Sequence, residues 1–173
     1  MVNDFLLEYD RYRALGERAI AQVSDAALNR VPSPDGNSIG MIVRHVSGNL
    51  ASRFTDFLTS DGEKPWRDRE TEFAERSFTR VEVERMWADG FEVVRKTLDG
   101  LTDADLSRKV AIRGQPLTVH AALCRSIAHM ASHVGQIVLL ARELADRPWQ
   151  SLSIPRGGSA AYNAAPTRER GLR

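Results

Sequence analysis

Apolar residues recur at steps of three and four along four separate long segments of this chain. That period decides the fold class before any other feature does. In the first segment Val2, Phe5, Leu6, Tyr9, Ala19, Ile20 and Val23 form one stripe, which predicts a helix from about Asn3 to Leu28. Two prolines and an Asp-Gly pair in Arg30-Val-Pro-Ser-Pro-Asp-Gly-Asn37 stop it. Ser38 is placed to cap a second helix with Ile39, Ile42, Val43, Val46, Leu50, Phe54 and Phe57 on its apolar face, ending at Asp61-Gly62. A polar connection then reaches Phe78. Trp66 lies within it and reads as a packing anchor for the loop. Thr79-Arg-Val-Glu82 has the form of a capping box for a third helix, with Val83, Met86, Trp87, Phe91, Val94 and Leu98 on one side and Gly100 closing it. A short turn at Thr102-Asp-Ala-Asp105 and a brief extended piece over 110–116 follow. Thr118 can cap the fourth helix, which runs from Val119 to about Ala145.

Four such helices pack most simply as an all-α four-helix bundle. The 173 residues make one domain. Residues 1–150 are expected to form the bundle, and 151–173 an irregular tail that packs on it in part.

Charge and cysteine content limit the chemistry. Lys and Arg total 24 against 23 Asp and Glu, so the basic excess of a nucleic-acid or membrane-surface binder is absent. No apolar run reaches the ~18 residues a membrane span needs. The N-terminal stretch carries Asp4, Glu8 and Asp10 and has no secretory pattern, which points to the cytoplasm. The single cysteine, Cys124, permits no intrachain disulfide and no cysteine metal cage, and it reads as a small buried residue. Metal chemistry would have to rest on His45, His120, His129, His133 and carboxylates.

The spacing of these histidines divides them. His129 and His133 stand one turn apart on the fourth helix, where both imidazoles can reach one ion, and Gln136 continues the same strip. His120 and Cys124 are each nine residues from a member of that pair, about half a revolution away on the helix. His45 on the second helix is the candidate third ligand, with Asn49 and Arg53 following at steps of one turn. Three histidines from two helices would leave a coordination position open, as catalytic rather than structural sites do. His129-Met-Ala-Ser-His133 lacks the glutamate of HExxH, which excludes the metalloprotease reading. The same histidines could instead be satisfied polar groups of a bundle core.

The second-helix motif Ser38-Ile-Gly-Met-Ile-Val-Arg-His45-Val-Ser-Gly-Asn49 and the fourth-helix motif His129-Met-Ala-Ser-His133-Val-Gly-Gln136 resemble those of the DinB-like, or YfiT-like, superfamily. With Arg53 to Arg67 and Ser151-Leu-Ser-Ile-Pro-Arg156-Gly, the chain is similar to a domain-of-unknown-function branch of it, over residues 1–163. The resemblance implies an up-down-down-up bundle, usually a homodimer, with His45, His129 and His133 holding a divalent metal, zinc or nickel first. Characterised members include bacillithiol transferases and mycothiol-dependent isomerases. It therefore also implies a small-molecule substrate, with a low-molecular-weight thiol among the candidates. Thiol S-transfer and hydrolysis are both compatible with such a site, and a non-catalytic metal-binding or stress-response dimer is the alternative. Asn49, Arg53, Arg67 and Arg156 are candidates to hold an anionic substrate, and Gln136 to support a ligand by hydrogen bonding.

Overall fold

Side chains that satisfy free amides mark where the long helices begin. The computed structural model describes residues 1–167. The chain runs through α1 (Val2–Ile20), α2 (Asp25–Asn29), α3 (Ile39–Phe54), α4 (Arg69–Glu72) and α5 (Arg80–Asp99). A 3-10 turn (Asp103–Ser107), strands β1 (Lys109–Ile112) and β2 (Gln115–Thr118), α6 (Val119–Leu144) and α7 (Ser159–Ala164) follow. The Ser38 hydroxyl accepts from the Met41 amide at 3.2 Å, and the Thr118 hydroxyl from the Ala121 amide at 3.1 Å. Thr79 and Glu82 form the reciprocal capping box.

Two helices are shorter than the periodicity suggests. α1 stops at Ile20 because the Gln22 and Val23 amides fold back on Ala19 and Ile20 at 3.1 and 3.4 Å, and Ser24 is extended. The apolar stripe nevertheless continues, since Ala27 and Leu28 are buried from α2. α3 stops at Phe54 because Thr55 is extended and Asp56 takes a φ of 49°, which no helix accommodates. Phe57 still packs into the core from the turn beyond it. Trp66 does not anchor its loop: it is 60% exposed. Cys124 is likewise exposed, not buried.

Pairings between helices fix their directions. Asp10 meets Arg95 at 3.3 Å, the Arg13 carbonyl accepts from Trp87 at 3.2 Å, and the Ile20 carbonyl accepts from Arg80 at 3.3 Å, so α1 and α5 are antiparallel. Ser47 lies against Gly90, and the Phe54 carbonyl accepts from Thr97 at 3.0 Å, so α3 and α5 are parallel. Phe5 stacks edge-on with His120 at 5.5 Å, and the Ala21 carbonyl accepts from Arg147 at 2.7 Å, so α1 and α6 are parallel. The bundle is up-down-down-up. A Cβ on Gly90 would come within 2.9 Å of Ser47 Cα, so glycine there permits the close approach of α3 and α5.

Parallel neighbours need a connection that travels back along the bundle. Residues 55–79 make that return and carry α4 up the side of α3. The hairpin between α5 and α6 turns at Arg113-Gly114, both with positive φ, as a two-residue loop requires. Asp61 accepts from the two turn amides at 2.8 and 2.7 Å, tying the crossover to the hairpin. Beyond α6, Trp149 and Leu152 pack against the bundle, and Arg18 donates to the Leu152 carbonyl at 3.0 Å. α7 is a short helix that the tail's composition does not announce. The rest of the tail, from residue 168, lies outside the described residues. No helix is long and apolar enough to cross a membrane among the described residues.

Candidate metal centre

α3 and α6 face each other in opposite directions, and the residues one turn apart on each become opposite rungs. His45 is buried, and His129 and His133 are half-buried. His129 Nε2 lies 3.2 Å from His45 Nε2 and 3.2 Å from His133 Nε2. The three candidate ligand atoms all fall within 4.8 Å of one another. Four-coordinate bonds of ~2.0–2.1 Å would give edges of ~3.4 Å, so the separations suit one ion.

The outer nitrogens set the tautomers. His45 Nδ1 lies 2.8 Å from Glu72 Oε2, and Glu72 also accepts from Arg67 at 2.8 and 2.9 Å. Burial alone would push the Glu72 carboxyl up, but the hydrogen bonds from His45 and Arg67 outweigh it and hold it below the usual range. An ionised carboxylate only accepts, so His45 carries its proton on Nδ1 and turns the Nε2 lone pair inward. Gln136 Oε1 lies 2.9 Å from His133 Nδ1 and does the same for that ring. Burial, with help from the neighbouring His133 and His45, lowers His129 to about 4, and burial lowers His133 as well. The cluster is therefore a set of inward lone pairs with few protons to share. A cation at its centre is the partner this donor set fits.

The lowered imidazoles predict an acid response. Folding releases protons from a base whose pKa is depressed, so its contribution is complete above about pH 6.5 and is lost as pH falls from 6.5 toward 4. The Tm of metal-free protein should drop across that window, and His129→Gln should drop less steeply. Parallel curves for the two proteins would contradict this.

The cluster opens into a cavity of about 340 Å³ between α3, α6, the crossover and the hairpin. Phe73 packs against the His45 ring at 4.7 Å. Asn49, Arg53, Arg67 and Gln136 line the cavity with the three histidines. Arg53 donates to the Gly62 carbonyl and pairs with Glu63 at 3.2 Å. Arg67 is engaged by Glu72 and its side chain is only 2% exposed, so its role is to hold that carboxylate. Arg156 is not brought here: it is exposed and outside the cavity lining, on a tail that packs on α1. His120 and Cys124 are also outside it.

Glu72, Arg113 and Arg125 were not singled out by sequence reasoning. Glu72 sits in a charged stretch without periodicity. One signal was available at Gly48, where a Cβ would come within 2.4 Å of Glu72 Oε1. A glycine one turn from His45 marks a close approach. Arg113 and Arg125 look like ordinary surface charges until the hairpin is placed.

Comparison with solved structures shows the fold. A conserved protein from Enterococcus faecalis superposes with a TM-score of 0.66 at 18% identity, covering 85% of this chain and 98% of that one. YfiT from Bacillus subtilis, described as a probable metal-dependent hydrolase with an unusual four-helix bundle topology, gives 0.67 at 17% identity, covering 82% and 86%. The DinB-like protein YjoA from Bacillus subtilis gives 0.62 at 16% identity, covering 86% and 96%. No curated protein sequence matches the chain. The family model described as a protein of unknown function, DUF1572, matches residues 1–158, and the chain belongs to that family.

Proposed function

We propose that this protein is a divalent-metal-dependent enzyme acting on a small molecule, either as a hydrolase or as a thiol S-transferase, with zinc or nickel as its metal. The observation that carries the reading is the trio His45, His129 and His133, with two of its rings oriented from behind and an open cavity in front. A structural site would be closed by a fourth protein ligand. The description of YfiT, on the same fold, as a probable metal-dependent hydrolase supports the reading.

His45, His129 and His133 would hold a divalent ion through three neutral imidazoles, and the chemistry such an ion would supply is Lewis acidity toward water or a thiol near neutral pH. The protein's part is to position and to exclude. Glu72 and Gln136 fix ring orientation. Phe73 covers the His45 ring and limits water there. No aspartate or glutamate lines the cavity among the described residues, so a carboxylate general base is not offered to the substrate.

Activity should depend on the ion. Stripped protein and protein reloaded with zinc or nickel are assayed on p-nitrophenyl acetate and on thiol conjugation to monobromobimane. Reloading should raise one of the two rates at least ~10-fold, within the range metal catalysis supplies. Equal rates from stripped and reloaded protein in both assays would oppose the proposal.

A further inference from the structure

The cavity is lined by five arginines and by no carboxylate among the described residues. They are not equally neutralised. Arg67 is matched by Glu72, and Arg69 by Glu70 at 3.3 Å. Arg53 and Arg113 share the single carboxylate of Glu63, at 3.2 and 2.9 Å. Asp61 lies behind the hairpin turn and is occupied by backbone amides. Arg125 has no hydrogen bond or ion pair among the described residues.

A second polar group in the same place is also unused. Asn49 is 9% exposed and lines the cavity, yet its side-chain amide finds no hydrogen-bond partner among the described residues. Its amide atoms are not among the sealed polar atoms, so they stay open to the cavity and available to a ligand there. The Ser126 hydroxyl, beside Arg125, is buried without completing a hydrogen bond. It lies close to the Tyr9 hydroxyl, whose pKa burial raises and the serine moderates, without reaching bonding geometry.

Helix geometry places these groups on one level. Arg125 is one turn before His129 on α6, and Asn49 is one turn after His45 on α3. The two helices run in opposite directions, so both steps lead the same way, ~6 Å along the bundle from the histidines. Arg53 lies a further turn on, beside Arg113 from the hairpin.

We propose that this end of the cavity is an oxyanion subsite. It would receive the carboxylate of a small substrate on Arg125 and Asn49, with Arg53 and Arg113 supplying the surrounding positive charge, while the substrate's other end, a thiol in the transferase reading, meets the metal site. The substrate class is then a short acid carrying its reactive group a few bonds from a carboxylate. The inference rests on the metal reading above and narrows it.

The test is calorimetric titration of zinc-loaded protein with 3-mercaptopropionate and with 2-mercaptoethanol, which lacks the carboxylate. The acid should bind roughly tenfold more tightly, as one charge-assisted contact supplies. Arg125→Gln, a change at an exposed position, should erase the preference without reducing zinc content. Asn49→Ala should reduce it in part, and retained helical circular dichroism checks that this variant folds. Equal binding of the two thiols by the wild-type protein overturns the subsite. So does a preference that survives Arg125→Gln, because the carboxylate would then be held by the zinc. If zinc itself does not bind, the metal reading fails first, and this inference falls with it.

Discussion

His133→Ala should abolish stoichiometric metal binding while leaving the bundle folded. His133 lies on a half-buried rung of α6 and its ring faces the cavity, so truncation opens no void in the main core. What it removes is one of three convergent nitrogens. Among the described residues no other His, Cys, Asp or Glu joins the remaining pair, His45 and His129, in a convergent group of three, and Glu72 stands behind His45 on its outer nitrogen. Loss of an outer partner of a metal ligand costs ~10–100-fold in affinity, and loss of the ligand itself should exceed that. Competition with a chromogenic chelator, beside circular dichroism, reads both quantities. Unchanged affinity with intact helicity would remove His133 from the site.

Glu72→Ala should produce the second large effect, and it should appear in two quantities at once. The carboxylate serves two buried groups. It accepts from His45 at 2.8 Å and from Arg67 at 2.8 and 2.9 Å. The Arg67 side chain is 2% exposed, so truncation leaves a guanidinium in the interior without its counterion. Breaking a buried pair in this way costs about 3–5 kcal/mol. The same change frees the His45 ring to rotate and to move its proton to Nε2, which should lower metal affinity ~10–100-fold. A double variant separates the two effects. Glu72→Leu with Arg67→Met removes the unpaired charge and should recover most of the stability, as buried pairs replaced by apolar groups do. It should not recover metal affinity, because the ionised acceptor on His45 is still missing. Recovery of both would make Glu72 a packing residue alone.

Much of this architecture was legible because it is local. Helix starts at Ser38, Thr79 and Thr118 need only a hydroxyl and the next few amides. The convergence of His129 with His133 follows from the helical period, and the same arithmetic sets His120 and Cys124 elsewhere. The helix ends were less legible. At Ile20 and Phe54 the apolar stripe runs on past the break, because the following residues are buried from a turn or a second helix.

Trp66 and Glu72 show where local reasoning stops. Both lie in the crossover between the parallel helices α3 and α5, and neither environment is encoded by its neighbours. The crossover's path is set by the direction of α5, which is settled by contacts with α1 and α3 far away in sequence. That path leaves Trp66 outside and puts Glu72 behind His45, 27 residues distant. Arg156 was linked to the site through a loop motif, but the tail packs along α1 instead.

The proposed function requires that three histidines from α3 and α6 hold one divalent ion. Elemental analysis of protein purified without chelators or an affinity metal, followed by titration of the stripped protein with zinc and nickel, tests it most directly. About one equivalent of metal per chain is expected, and none in His133→Ala. Wild-type protein that carries no metal and binds none on titration would contradict it.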